Sequence, residues 1–390
     1  MKPKRILIAG AALAVATIAL AVPATPASAD PPSTNYSMVF DDEFNGTGVN
    51  TALWNYRTDS KGYSVQLPAN VTEGGGDLTI NLKQQTVGSY NFTGGGLVSK
   101  QQFRYGYYET RAKINVGSGW HSSFWLQCGD GSTTYPACQR TEIDGFEIDS
   151  ASPETISHEG VLTWKGSGAG GPYSAGTSVS TGADLTQWHT YGIDWEETGV
   201  TFYLDGVVTH TSTYPPTAWT HDYTNIWLTS IAYGTSPDTT KLPSTVQFDY
   251  ARYYQKDYYV DNDGPAAYGY SETGSWANSS LTGWTVGSPT RYAACGSAGN
   301  TATWSPTIHT AGTYQVYVWK VTGANTDTNE RYDLTYSGGS STTYVNGNTG
   351  TAGWVSLGTH SFAAGTGGSV KLTSSGTGCA RADAVKFVRS

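Results

Sequence analysis

From about Tyr36 to Tyr254 the chain alternates short runs of β-branched and aromatic residues with turns rich in Gly, Ser, Thr and Asp. The clearest runs are DLTINLK (77–83), YGYYETRAKI (105–114), WHTYGIDW (188–195), VTFYLDGVV (200–208) and TVQFDYARYY (245–254). Several place apolar residues at every second position, which predicts strands with one face on a core and the other on solvent or ligand. The Asp205-Gly206 pair between apolar residues predicts a tight hairpin. After Gln255 the segment KDYYVDNDGP (256–265) reads as a junction, and the remainder is richer in Gly, Ser, Thr and Ala. Strand patterns continue there in TYQVYVWK (313–320), WVSLGTHSF (354–362), SVKLTSS (369–375) and ADAVKFV (382–388). Neither long amphipathic helices nor a short-period repeat is visible. The pattern therefore predicts an all-β protein: a larger unit over 30–255, a linker over 256–264 and a smaller β-sandwich over 265–390.

Composition agrees, with 48 Gly, 27 Tyr and 13 Trp against 2 Met, the usage of turn-rich strand proteins. The first 29 residues stand apart. Lys2, Lys4 and Arg5 precede an apolar run over 6–22, and Ala27-Ser28-Ala29 offers a small-residue cleavage site. This order predicts a secretory signal peptide and a secreted, extracellular protein, with no other run fit to span a membrane. Without that segment the charge moves from −9 to −12, with 19 basic against 31 acidic residues. A surface so acidic repels phosphate polymers, so nucleic acid is not expected as a partner. The expected partner is a neutral polymer, and the protein is expected to be a monomer. The four cysteines fall two per half, and in an exported chain they predict disulfides Cys128–Cys138 and Cys295–Cys379.

One segment breaks the pattern. TEIDGFEID (141–149) holds four acids in a chain that is 14% charged. In a regular strand Glu142 and Asp144 share a face, whereas Glu147 falls on the other. A bulge at 145–146, where Gly145 tolerates irregular backbone, would bring Glu142, Asp144 and Glu147 onto one face. Like charges in a row repel, so the alignment calls for a use. Retaining glycoside hydrolysis needs a carboxylate nucleophile and a protonated carboxyl roughly 5–5.5 Å apart, and a third acid can tune the first. A solvated acidic edge strand and a calcium site are the other readings of the spacing. Trp120, Phe124 and Trp125 precede the acids in GSGWHSSFWLQ (117–127), and flat aromatic rings suit the apolar faces of sugars. Trp120 is the preferred platform.

Several pieces together resemble glycoside hydrolase family 16, the laminarinase-like group. They are MVFDDEFNG (38–46) with Trp54, GGLVSKQQFRYGYYETRAKI (95–114), GWHSSFW (119–125), EIDGFE (142–147), WHTYGIDW (188–195), FYLDG (202–206) and FDYARYY (248–254). The resemblance implies a β-jelly-roll sandwich whose concave sheet forms a polysaccharide cleft. It makes Glu142 the nucleophile, Asp144 the assisting acid and Glu147 the general acid/base, in the bulged subgroup. Trp120, Trp125, His121, Arg104 and His158 are the candidates for holding substrate. Members often carry a structural calcium, for which Glu43 and Asp249 are candidate ligands; the chemistry itself needs no cofactor. His121, Ser122, Ser123 and Gly145 depart from the family's usual residues. The leading substrates are β-1,3- and mixed-linkage β-glucans, with galactans next. Non-catalytic alternatives are a polysaccharide-binding lectin and a calcium-dependent wall protein. The C-terminal part, with VDNDG (260–264), ATWSPTIHTAGTYQVYVW (302–319) and RADAVKFV (381–388), is similar to the golvesin/xanthan-lyase C-terminal module. Modules of this type are suspected of binding carbohydrate, and Trp276, Trp284 and Trp354 are its candidate stacking surfaces.

Overall fold

The computed structural model describes residues 31–132, 140–164, 169–214, 221–285 and 287–390. The signal-peptide segment and Cys138 lie outside them, and with Cys138 the expected Cys128–Cys138 bridge. Among the described residues no helix is long and apolar enough to cross a membrane.

The larger unit is a jelly-roll-like sandwich of two antiparallel sheets. One runs Ala169–Ser180, Thr155–Trp164, Thr141–Asp149, Trp120–Gln127, Asn225–Ala232, Tyr90–Ser99 and Trp54–Tyr56, in that spatial order. The other runs Val207–Thr213, Gly199–Leu204, His189–Glu196, Gly106–Lys113 and Ser244–Gln255, whose far edge is bonded by Ser37–Asp42 along one half and Asp77–Val87 along the other. Asp77–Val87 also pairs with Tyr90–Ser99, so one strand joins the two sheets. Phe124, Leu126, Ile143 and Phe146 from the first sheet and Tyr191, Ile193 and Phe248 from the second share one buried core. The Phe146 and Tyr191 rings meet at 4.3 Å between centroids. The expected hairpin is present: Leu204 pairs with Val207 across Asp205 and Gly206, whose φ values of 50° and 77° give the primed turn that matches strand twist.

Several buried positions hold ionisable groups, Glu159 among them. Glu159 is fully buried, with Thr209 donating to Oε1 at 3.0 Å and Oε2 unpaired. Burial pushes its carboxyl up to about 7 from 4.5. The folded state thus favours the protonated form, and stability falls as pH rises from the ordinary glutamate range through 7. Glu159→Gln is expected to raise stability by about 3 kcal/mol at pH 8 and to change little at pH 4, read from melts at both. Equal effects at the two pH values would refute this.

The smaller unit holds a four-stranded sheet (Tyr258–Val260, Val385–Arg389, Gly312–Lys320, Gly353–Phe362), a five-stranded sheet and a three-stranded sheet around a second core. Cys295 and Cys379 are bonded across 84 residues, as expected. Two expectations change. Tyr258–Val260 falls within the anticipated linker yet pairs with Val385–Phe387 as a sheet strand. The run at 382–388 divides into Arg381–Ala382 and Val385–Arg389, because Asp383 turns aside to accept from the Trp284 N–H at 2.7 Å and the Trp304 indole at 2.8 Å.

The units meet at Glu197. Its Oε1 accepts from the indoles of Trp284 (3.1 Å) and Trp354 (2.6 Å), and its Oε2 from Lys386 (2.5 Å) and the Tyr259 hydroxyl (3.4 Å). Trp284 also stacks on Tyr259 and His221. Two of the three tryptophans considered as sugar platforms are therefore inter-unit contacts.

Candidate functional site

The register places the acids. Glu142 sits opposite Gln127, Asp144 opposite Trp125, Glu147 opposite Ser123 and Asp149 opposite His121. Those four partners occupy alternate positions on one strand, so the four acids share the face turned away from the sandwich core. The phase change is a bulge: Asp144 pairs with Trp125 and Phe146 with Phe124, leaving Gly145 as the extra residue, where the sequence predicted it. Glycine is required sterically. A Cβ there would lie 2.6 Å from Ile193 Cδ1 and 3.0 Å from Phe124 Cδ1. Gly145→Ala is therefore expected to destabilise the fold by about 1–3 kcal/mol in denaturant unfolding; an unchanged midpoint would show that the sheets can part.

Environment separates the acids electrostatically. Asp144 is 1% exposed, shares a 3.0 Å hydrogen bond between Oδ2 and His158 Nδ1, and has Oδ1 unpaired. Burial first and the neighbouring Glu147 charge second push its carboxyl well above the usual range. Glu147 is half-buried. Burial alone would raise its carboxyl, but the His121 hydrogen bond and the charges of His121 and His158 outweigh that and hold it low. His121 lies between two acids, with Nε2 3.0 Å from Glu147 Oε1 and Nδ1 2.8 Å from Asp149 Oδ1. Although burial disfavours its cation, those two bonds carry the imidazole up to about 9. Gln127 Nε2 donates to Glu142 Oε2.

Beside the acids runs an aromatic row. Trp125, next to Asp144, is also paired with Trp227, and the two rings stack at 4.6 Å. The Trp125 indole donates to Thr229 Oγ1 at 3.1 Å. The Arg57 guanidinium lies 5.9 and 5.7 Å from the two ring centres, fixed by a two-point bond to Asp59 at 2.7 and 3.0 Å. A half-exposed indole with a cation behind it and carboxyls beside it offers stacking and acid–base groups on one surface.

The family model for glycosyl hydrolases family 16 matches residues 44–252, more than half of the chain. The chain belongs to that family. The Golvesin C-terminal domain model matches residues 258–389. Among similar family 16 proteins, a β-glucanase of Acetivibrio thermocellus is 27% identical over 208 residues, covering 51% of this chain and 57% of that protein. A keratan-sulfate endo-1,4-β-galactosidase of Sphingobacterium multivorum is 24% identical over 251 residues, covering 59% and 58%. The chain thus spans under two thirds of either relative. A crystal structure of a non-specific endo-β-1,3(4)-glucanase from the family superposes with a TM-score of 0.51 at 26% identity, covering 58% of this chain and 98% of the other.

Of the substrate candidates, the fold brings Trp125, His121 and His158 to the acids and takes two others elsewhere. Trp120 is 2% exposed and packs edge-on against Phe92 within the core. It has the strand parity of Phe124 and Leu126, opposite to that of Trp125. Arg104 is buried at the junction of the units, 3.4 Å from Asp263 and 3.9 Å from Asp261, with its guanidinium over Tyr223. His121 is at the site, but both ring nitrogens are engaged by carboxylates rather than open to sugar hydroxyls. The family's calcium does not fit the two proposed ligands. Glu43 is bound at two points by Arg252 (2.6 and 2.8 Å) and Asp249 by Arg111 (2.7 Å). Donor atoms of Asp144, Glu147 and His158 do lie within 4.8 Å of one another, yet they form a hydrogen-bonded acid–imidazole group whose donors serve one another. Sequence reasoning missed Trp227, Arg57 and Gln127. Alternation in NIWLTSIA (225–232) puts Trp227 and Thr229 on one face, and alternation in WHSSFWLQ (120–127) puts Gln127 with Trp125; Arg57 has no such local signal.

Proposed function

We propose that this protein is a secreted retaining endo-β-glycanase acting on a polysaccharide, foremost a β-1,3- or mixed-linkage β-glucan. The observation that carries the reading is the shared face of Glu142, Asp144 and Glu147 across the Gly145 bulge. Glu142 attacks the anomeric carbon while Glu147 gives a proton to the departing oxygen. Water then enters, loses a proton to Glu147 and frees the sugar from Glu142 with its configuration retained. Asp144, whose carboxyl burial pushes up, shares the face of the nucleophile and is the assisting acid of this reading. Trp125 supplies the stacking face.

Membership of family 16 and the likeness to endo-β-glucanases support a glucan substrate. The galactosidase relative keeps a galactan as the second reading. The test is incubation with laminarin, lichenan, agarose, carrageenans and arabinogalactan, counting reducing ends and sizing products. Oligosaccharides of intermediate size from laminarin or lichenan are expected. Release from galactans alone would move the substrate to the second reading, and tight binding without product would identify a lectin.

A further inference from the structure

We propose that His121, held by Asp149, is a positioning residue that stores the proton Glu147 delivers, so that the acid of this site is a His121–Glu147 pair rather than a lone carboxyl. The inference rests on the assignment of Glu147 as acid/base and deepens it.

Geometry carries it. A general acid must be protonated before bond cleavage, and isolated burial would achieve that. Here an imidazole instead bridges Glu147 Oε1 at 3.0 Å and Asp149 Oδ1 at 2.8 Å, with its side chain only 13% exposed. The bridge exists because His121 and Asp149 are directly opposed in the register, and the Gly145 bulge sets Glu147 on the same face two residues earlier. Other polar groups around it are buried Asp144, His158 (Nδ1 3.7 Å from Glu147 Oε2) and Tyr233, whose ring lies 5.7 Å from that of His121. With carboxylates on both nitrogens the imidazole is a cation at neutral pH and Glu147 an anion. Such a pair holds one transferable proton.

In the first step the glycosidic oxygen takes a proton from Glu147 as the C–O bond breaks and Glu142 bonds the anomeric carbon. His121 Nε2–H passes its proton to Glu147 Oε1, leaving a neutral imidazole whose Nδ1–H remains on Asp149. In the second step the proton released by water goes to Glu147 and returns to Nε2. The pair, rather than Glu147 alone, then sets the alkaline limit of activity.

Full-length His121→Asn should lower the alkaline limb of kcat/KM on polysaccharide by about two pH units or more and cut kcat at pH 8 on the order of 100-fold. The kcat/KM for a dinitrophenyl glycoside, which reports only the first step and whose leaving group needs no proton, should fall by less than about threefold. Asp149→Asn, at a largely exposed carboxylate, should shift the limb the same way by a smaller amount and guards against misfolding of the first variant. Unchanged alkaline limbs in both variants, or equal losses on both substrates, would overturn the inference. Glu147→Ala separates this from failure of the underlying assignment: azide should restore its turnover on the activated substrate. If azide does not, Glu147 is not the acid/base whatever His121 does.

Discussion

Glu142→Ala is expected to lower polysaccharide turnover on the order of 10⁴-fold or more while leaving the fold intact. The magnitude follows from the role: without a carboxylate at this position no glycosyl-enzyme forms, and the single difficult displacement is no longer divided into two easier ones. The side chain lies on the outer face of its strand, half-buried, where Oε2 accepts from Gln127. Removing it opens no core cavity, so the melting transition should hold within a few degrees, while affinity for oligosaccharide should persist because Trp125 and Trp227 are untouched. Proton NMR of fresh wild-type products should show the β-anomer first. Activity within tenfold of wild type, or an α-anomer appearing first, would remove Glu142 from the nucleophile's role.

The largest effect on stability is expected from Glu197→Ala. One carboxylate there satisfies two indole N–H groups, a lysine ammonium and a tyrosine hydroxyl drawn from the second unit. Each donor left unpaired in a buried setting costs about 1–3 kcal/mol, so a loss of about 4 kcal/mol at the joint is expected. Calorimetry should show one cooperative transition for the parent and two for the variant, with the second unit melting first. Glu197→Gln keeps the acceptor oxygen but loses the charge facing Lys386, and should fall between. A thermogram unchanged in Glu197→Ala would mean that the aromatic stack of Trp284, Tyr259 and His221 and the Arg104 ion pairs with Asp261 and Asp263 hold the units together without it.

Local pattern carried the strands, the Asp205-Gly206 hairpin and the bulge, because each is decided within ten residues by alternation, turn chemistry and one missing side chain. It also carried the common face of Glu142, Asp144 and Glu147. The choice of Trp120 over Trp125 failed although parity could have settled it: Trp125 shares the phase of His121, and both are paired with acids. Arg104 could not have been placed, since its partners Asp261 and Asp263 lie far along the chain in another unit. The same holds for Trp227, brought to Trp125 by the pairing of strands about 100 residues apart. Glu43 and Asp249 read as ligands because the arginines that neutralise them are visible only in three dimensions.

The stacked indoles beside the acids give the site a built-in optical signal. Trp125 is half-exposed and rests on Trp227, so a sugar ring settling on it would displace water and shift its fluorescence. In Glu142→Ala, where nothing is consumed, titration with oligosaccharides of increasing length would then report how many units the surface grips, without a label and before any product chemistry is known.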